Sequence, residues 1–251
     1  MATYDSGLAA TLYGPCTVSA VAGPRVPVKL TTTTNYPFDE TIRIPFDPER
    51  DVEFPLYLRI PGWCKQAQIA IRGTPVAEMP NNKGFARITR TWSKGDVVEL
   101  RLPMEPRVIR GFETEFPAAN RQYFAFEPAA VFQPRRLPYA SVLYGPLLFA
   151  LPIPDVDPNT PAKDAKWQYA LDTAAVQQGR PIQVHRKPMP AHWDWPQDAP
   201  VTLTAPAQAF DWRPTDAKAL PEKPVTGTAE TVRLVPYGCT KFRISMFPVT
   251  P

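Results

Sequence analysis

Val52-Glu53-Phe54-Pro55-Leu56-Tyr57-Leu58-Arg59-Ile60-Pro61-Gly62-Trp63-Cys64 opens a segment, residues 51–104, that closes with Thr91-Trp92-Ser93-Lys94-Gly95-Asp96-Val97-Val98-Glu99-Leu100-Arg101-Leu102-Pro103-Met104. Val52, Phe54, Leu56, Leu58 and Ile60 share one face of an extended chain, and Glu53, Tyr57 and Arg59 the other. Val98, Leu100, Leu102 and Met104 repeat the rhythm against Val97, Glu99 and Arg101. Side chains alternate with period two along a strand, so this pattern predicts half-buried strands. The two ends read as strands of one antiparallel sandwich. No local motif that performs chemistry accompanies them.

Working outward, the same rhythm recurs. Val26, Val28 and Leu30 alternate within 26–34, Ile42, Ile44 and Phe46 within 41–46, and Ala67, Ile69 and Ile71 before Gly73-Thr74. Residues 84–92 supply a further strand, and Lys94-Gly95-Asp96 a tight turn. Strands about ten residues apart with turns between them are the pattern of an all-β sandwich. The rhythm breaks at 106–119, where Glu113, Glu115, Pro117 and Asn120 read as a polar connection. A second series follows at 122–127, 141–151, 167–171, 182–184, 201–205, 231–235 and 241–247, and residues 147–151 are continuously apolar. The expectation is all-β: two consecutive antiparallel β-sandwich domains, jelly-roll or immunoglobulin-like, at residues 1–110 and 111–251. Helix should be very scarce, because the chain carries 33 prolines in 251 residues and each one inside a helix costs about 3 kcal/mol.

The formal charge is +4, but Lys and Arg are scattered, with no run longer than Arg135-Arg136. Nucleic-acid binders cluster such charge, so that class is set aside. Three cysteines, Cys16, Cys64 and Cys239, cannot close a disulfide framework, and their spacing fits no metal knuckle. They read as small, partly buried packing residues. With two histidines in the chain, His185 and His192, no zinc site is expected from it alone. No apolar run reaches the roughly 18 residues a membrane helix needs. Residues 1–7 have neither the basic region nor the apolar core of a signal peptide. The chain reads as soluble, with its location unassigned.

Several residues invite a chemical reading. Glycoside hydrolysis uses two carboxylates across a cleft, and Glu113 with Glu115 is a nominal pair, yet any two acids in a connection look alike. Trp193-Asp194-Trp195 is the more pointed candidate: two indoles could stack on a sugar while the carboxylate accepts its hydroxyl protons. A loop pinned by two buried indoles is the preferred alternative. His192 beside it reads as packing. No serine sits in a nucleophile elbow, and there is no Gly-rich phosphate loop. Cys64 lacks an identifiable base. Trp63 reads as a core or interface aromatic.

Taken in order, several motifs resemble one family. Tyr36-Pro37-Phe38, Leu58-Arg59-Ile60-Pro61-Gly62-Trp63-Cys64, Thr91-Trp92-Ser93-Lys94-Gly95-Asp96 and Leu102-Pro103-Met104 resemble the middle region of glycoside hydrolase family 127, the β-L-arabinofuranosidases. Tyr144-Gly145-Pro146-Leu147-Leu148-Phe149-Ala150-Leu151 looks like that family's Arg-Gly-Pro-Leu-Val-Tyr type strand, with Tyr144 in place of Arg. Residues 234–243 are similar to its C-terminal strand pair. The resemblance implies an (α/α)6 catalytic barrel ahead of two β-sandwiches. In that barrel a Cys nucleophile works beside zinc held by Cys and Glu, from a Glu-containing and a Cys-Cys-Pro segment. This chain has neither a Cys-Cys pair nor helical repeats, so no catalytic residue and no metal ligand is carried over. The implied function is a non-catalytic sandwich pair, a middle and a C-terminal domain, that begins just after the barrel. It would brace the barrel in plant-type glycan degradation and shape the rim of the substrate site. Trp63 and the aromatics of 123–132 are the expected barrel-packing surface, and the barrel the expected partner. A homo-oligomer contact is a further role. The alternatives are a free-standing carbohydrate-binding module using Trp193, Trp195 and Trp212, a structural or oligomerisation module, and, ranked last, an enzyme in its own right.

Overall fold

The alternating stretch becomes two strands in different sheets. The computed structural model describes residues 1–77, 80–81, 83–115, 135–157, 160–161, 164–190, 199–212 and 220–251. It divides into two units, Met1–Glu105 and Pro106–Pro251. Unit 1 holds β1 (Leu8–Ala10), β2 (Cys16–Ala22), β3 (Val26–Thr34), β4 (Thr41–Pro48), β5 (Val52–Arg59), β6 (Gln68–Ile71), β7 (Thr74–Val76), β8 (Phe85–Trp92) and β9 (Val97–Arg101). β5 is the middle of a three-stranded sheet, β1-β5-β8, while β9 lies inside a six-stranded sheet, β2-β3-β4-β9-β6-β7. Val52, Phe54, Leu56, Leu58, Ile60, Val98, Leu100 and Leu102 all meet in one core, as the alternation requires. Burying residues of that size stabilises by about 1.5–3 kcal/mol each.

One ring cluster joins the two sheets. Trp92 of β8 is completely buried and stacks on Phe46 of β4, with ring centroids 4.3 Å apart and 7° between planes. Its indole N–H donates to the Phe54 carbonyl at 3.0 Å. The antiparallel expectation has one exception, because β1 pairs with β5 in parallel, Leu8 opposite Leu56. Parallel neighbours need a long crossover, and the chain supplies one by running through β2, β3 and β4 of the other sheet before it returns in β5.

Unit 2 holds β10 (Pro106–Glu115), β11 (Arg135–Tyr144), β12 (Leu147–Ile153), β13 (Asp155–Asp157), β14 (Thr160–Pro161), β15 (Tyr169–Leu171), a short helix α1 (Thr173–Gln177), β16 (Gln183–Arg186), β17 (Val201–Ala209), β18 (Thr228–Pro236) and β19 (Phe242–Ile244). Its main sheet runs β10-β11-β12-β18-β17-β15, with β16 on β17 and β19 on β12. β12 pairs with β11 and β18 along its first half and with β19 along its second. β18 meets β17 through residue 234 and β12 from residue 235. Strands that change partner midway are how a sheet turns a corner and encloses its own core. Phe149, Leu171, Leu203, Leu234 and Phe247 are completely buried inside it.

Strand accounts for 55% of the described residues and helix for 4%, so the all-β reading holds. Three local readings change. The polar connection expected at 106–119 is strand over its described part: β10 pairs with β11 from Pro106↔Tyr144 to Glu115↔Arg135. Its charges mislead because an edge strand keeps solvated side chains on both faces. Residues 141–151 are two strands, since Gly145, at φ 53°, makes a tight turn between Tyr144 and Leu147. Residues 16–22, read as no element, form β2; being mostly exposed, it shows no apolar period. The strand expected at 122–127 lies outside the described residues.

Candidate functional site

The outer, solvent face of the three-stranded sheet carries the clearest polar constellation. Alternation turns Tyr57 of β5 outward, and the antiparallel register puts Arg87 of β8 directly opposite. Residues 3–7 fold into a tight turn, with Thr3 N–H donating to Gly7 O and Ser6 N–H to Thr3 O. Gly7 presses on the sheet so closely that a Cβ there would lie 2.3 Å from the Pro55 carbonyl oxygen. That close approach delivers Asp5 to the strand pair. Tyr57 Oη donates to Asp5 Oδ2 at 2.6 Å, and Arg87 Nε donates to Tyr57 Oη at 3.0 Å. Arg87 Nη2 stands 3.7 Å from Asp5 Oδ2, and Thr3 Oγ1 donates to Asp5 Oδ1. With Tyr4, Phe85 and Asn81 these residues line an open depression of about 500 Å³.

The electrostatics decide what this arrangement can do. Hydrogen bonds from Thr3 and Tyr57 hold the Asp5 carboxyl below its ordinary value. The same bond to Asp5 pushes the Tyr57 phenol up, and the bond to Tyr57 pushes Arg87 up. A general acid or base works best with a pKa near the operating pH. Here the shifts of all three groups run away from neutrality. It presents a carboxylate, a guanidinium and aromatic rings around one depression. Unit 2 has a smaller depression of about 310 Å³ at Tyr169, Phe210, Lys166 and Asp211. There Tyr169 Oη donates to Glu230 Oε2 at 3.0 Å, and burial foremost raises the phenol.

Trp63, expected on a packing surface, is half-buried against the core of unit 1. Trp193, Asp194 and Trp195, with His192, lie outside the described residues, as do the aromatics of 123–132. Trp212 cannot serve as an open stacking platform. It is buried with Leu137 and Leu220, edge-on to Trp167 at 5.3 Å and stacked on Phe210 at 5.9 Å. Cys64 and Cys239 are buried, and burial pushes both thiols up, away from the reactive thiolate. Cys16, read as partly buried, is exposed, because β2 carries mostly exposed side chains. Ser141 Oγ donates to the Ser245 carbonyl at 2.7 Å, a structural bond. Glu113 stands on β10 opposite Leu137 rather than in a connection.

Among the described residues no three His, Cys, Asp or Glu side chains converge as metal ligands. The Asp5–Tyr57–Arg87 constellation escaped the sequence reading because 52 residues separate Asp5 from Tyr57. Outward alternation at Tyr57 and Arg87 was the one available signal, and it carries no pairing information.

Residues 7–104 match the family described as Beta-L-arabinofuranosidase, GH127 middle domain. No curated protein matches the chain. Among solved structures, a GH127 β-L-arabinofuranosidase from Geobacillus stearothermophilus T6 aligns with a TM-score of 0.62 and 25% identity, over 97% of this chain and 33% of its own. A structure titled glycoside hydrolase aligns at 0.62 and 22%, over 97% of this chain and 36% of that one. A GH127 β-arabinofuranosidase aligns at 0.59 and 18%, over 96% and 34%. The chain thus spans about a third of the length of these enzymes, and its first 104 residues contain the match to the GH127 middle domain.

Proposed function

We propose that this chain is the non-catalytic β region, middle and C-terminal domains together, of a β-L-arabinofuranosidase-like glycoside hydrolase acting on plant-type glycans. The observation that carries the reading is the middle-domain match over residues 7–104, joined to a fold likeness that runs on over 97% of the chain. On this reading an (α/α)6 barrel is the partner and holds the zinc and the nucleophile. The β region braces that barrel, with Trp63 as a packing residue, and shapes the rim of its substrate site. Trp193, Asp194 and Trp195 would contact glycan beside that rim.

The test is direct. An antiserum raised against this chain should detect, in the cells that make it, a polypeptide of roughly three times 28.1 kDa or a tightly associated barrel subunit. It should also deplete zinc-dependent arabinofuranosidase activity from their extract. Purified chain alone should release no sugar from a β-L-arabinofuranoside. Release by the chain alone, or detection of nothing beyond an unaccompanied 28 kDa species, overturns the proposal.

A further inference from the structure

We propose that the depression on the outer face of the β1-β5-β8 sheet binds a uronate residue of an acidic polysaccharide, its ring lying on Tyr4 and Phe85 and its carboxylate meeting Lys83 and Arg87. The inference uses residues of unit 1 alone and does not depend on the family reading. The depression, about 500 Å³, is open rather than enclosed. It therefore suits one residue of a longer chain and not a free small molecule, which a site must surround on most sides. Tyr4 is 100% exposed and Phe85 half-buried, so ring surface faces solvent at this place. A sugar ring offers an apolar face to such rings and hydroxyls along its rim.

The polar groups are held before any ligand arrives. Arg87 Nε donates to Tyr57 Oη at 3.0 Å, the guanidinium lies 5.8 Å from the centre of the Tyr57 ring, and Nη2 stands 3.7 Å from Asp5 Oδ2. Asn81 Oδ1 accepts from the Lys83 and Phe85 N–H at 2.9 and 3.1 Å. The turn that presents Tyr4 and Asp5 contains Ser6 at φ 62°, a left-handed backbone that persists only where its surroundings fix it. Groups ordered in advance lose little entropy on binding. Among the described residues the Nη1 amino group of Arg87, Nζ of Lys83 and the amide NH2 of Asn81 take no partner. Unused guanidinium N–H groups are strong partners for a carboxylate, and the Asp5 oxygens keep lone pairs for a hydroxyl. Lys83 and Arg87 against Asp5 leave the lining one positive charge, which favours an anionic ring over a neutral one. An acidic peptide fits less well. The backbone beneath the depression is already paired, β5 with β1 and β8, so a peptide main chain finds no hydrogen bonds there.

Titration of the intact chain with tetragalacturonate, followed by amide NMR shifts, tests the proposal. The amides of residues 3–9 and 83–87 should move and saturate at roughly millimolar sugar. The methyl-esterified tetramer keeps the rings and most hydroxyls but lacks the charge, and should bind about tenfold more weakly. Arg87→Gln should weaken binding of the charged tetramer about tenfold and Lys83→Gln about threefold. Circular dichroism checks the fold of each variant, and Lys83→Gln, at an exposed turn position, carries the test if Arg87→Gln does not fold. Lys29→Gln, at an exposed position of β3 in the other sheet, should change nothing. The proposal is overturned by shifts that do not saturate by about 20 mM sugar, by shifts centred elsewhere, or by equal binding of the methyl ester. Equal losses in Lys29→Gln and Lys83→Gln overturn it too, as does tetraglutamate bound as tightly, which would make this a site for acidic peptide.

Discussion

Replacing Trp92 tests the account of unit 1 most sharply. Its side chain is 0% exposed, lies flat on Phe46 at 4.3 Å, tilts against Phe54 at 5.9 Å and donates its indole N–H to the Phe54 carbonyl. Trp92→Phe keeps one ring in the stack, removes the second ring and leaves that carbonyl without its donor. A buried polar group that loses its partner costs about 1–3 kcal/mol. The missing ring atoms bring the loss to about 2–4 kcal/mol. Trp92→Ala removes the whole side chain and should cost about 3–5 kcal/mol. For a unit of this size each kcal/mol lowers Tm by about 4–8 °C, so Trp92→Phe should depress the unit 1 transition by about 10–30 °C. Calorimetry gives the shift, and amide exchange in β5 and β8 localises it. Trp63→Ala, at a half-buried ring, is the contrast and should cost about 1 kcal/mol. A Trp92→Phe loss below about 0.5 kcal/mol, or one no greater than that of Trp63→Ala, refutes the claim that this stack joins the two sheets.

Asp96 is a carboxylate with no exposed surface that accepts from the Ser93 N–H at 2.8 Å and pairs with Arg72. Asp96→Ala leaves the turn N–H unpaired and should cost about 2–4 kcal/mol in urea unfolding; a neutral result would show the turn holds without it. Tyr57→Phe removes one of the two side-chain hydrogen bonds that lower the Asp5 carboxyl, so its titration by NMR should move up, and an unmoved curve breaks the network described. Burial alone would raise the Asp172 carboxyl, but hydrogen bonds from Gln208 and the Ala175 N–H, with the charge of Arg180, hold it below its ordinary 3.8. A depressed folded value stabilises at pH above 3.8 and is lost as pH falls through the folded value. Unit 2 should therefore weaken in acid below about pH 4, and Asp172→Asn should flatten that slope; an unchanged slope would assign the acid loss elsewhere.

Much of unit 1 was legible because its strands are wet on one face. In β4 and β9, and in β5 at every position but Pro55, which the Gly7 turn covers, period-two alternation maps onto burial, and the starts of β3, β4 and β5 fall where the pattern places them. The elements that hid are the ones without a one-sided environment. β2 is almost wholly exposed, and β10, the end strand of its sheet among the described residues, mixes charge with apolar side chains. In each case the strand exists because a neighbour supplies its hydrogen bonds, which no local pattern encodes. The Pro-rich composition excluded long helices for a local reason, and α1 survives as five residues capped by Asp172.

The sequence by itself determined the all-β class, the alternating apolar faces of unit 1 and the resemblance to a β-L-arabinofuranosidase region. Those rest on side-chain alternation and short motifs, which are properties of neighbouring residues. Tertiary structure decided which sheet each strand joins, that Trp212 is core and not platform, and that Asp5, Tyr57 and Arg87 form one network. It also left β10, among the described residues, at the end of its sheet. Each of these depends on which distant strands meet and in what register, and registry over tens of residues is set by packing and hydrogen bonding across the fold.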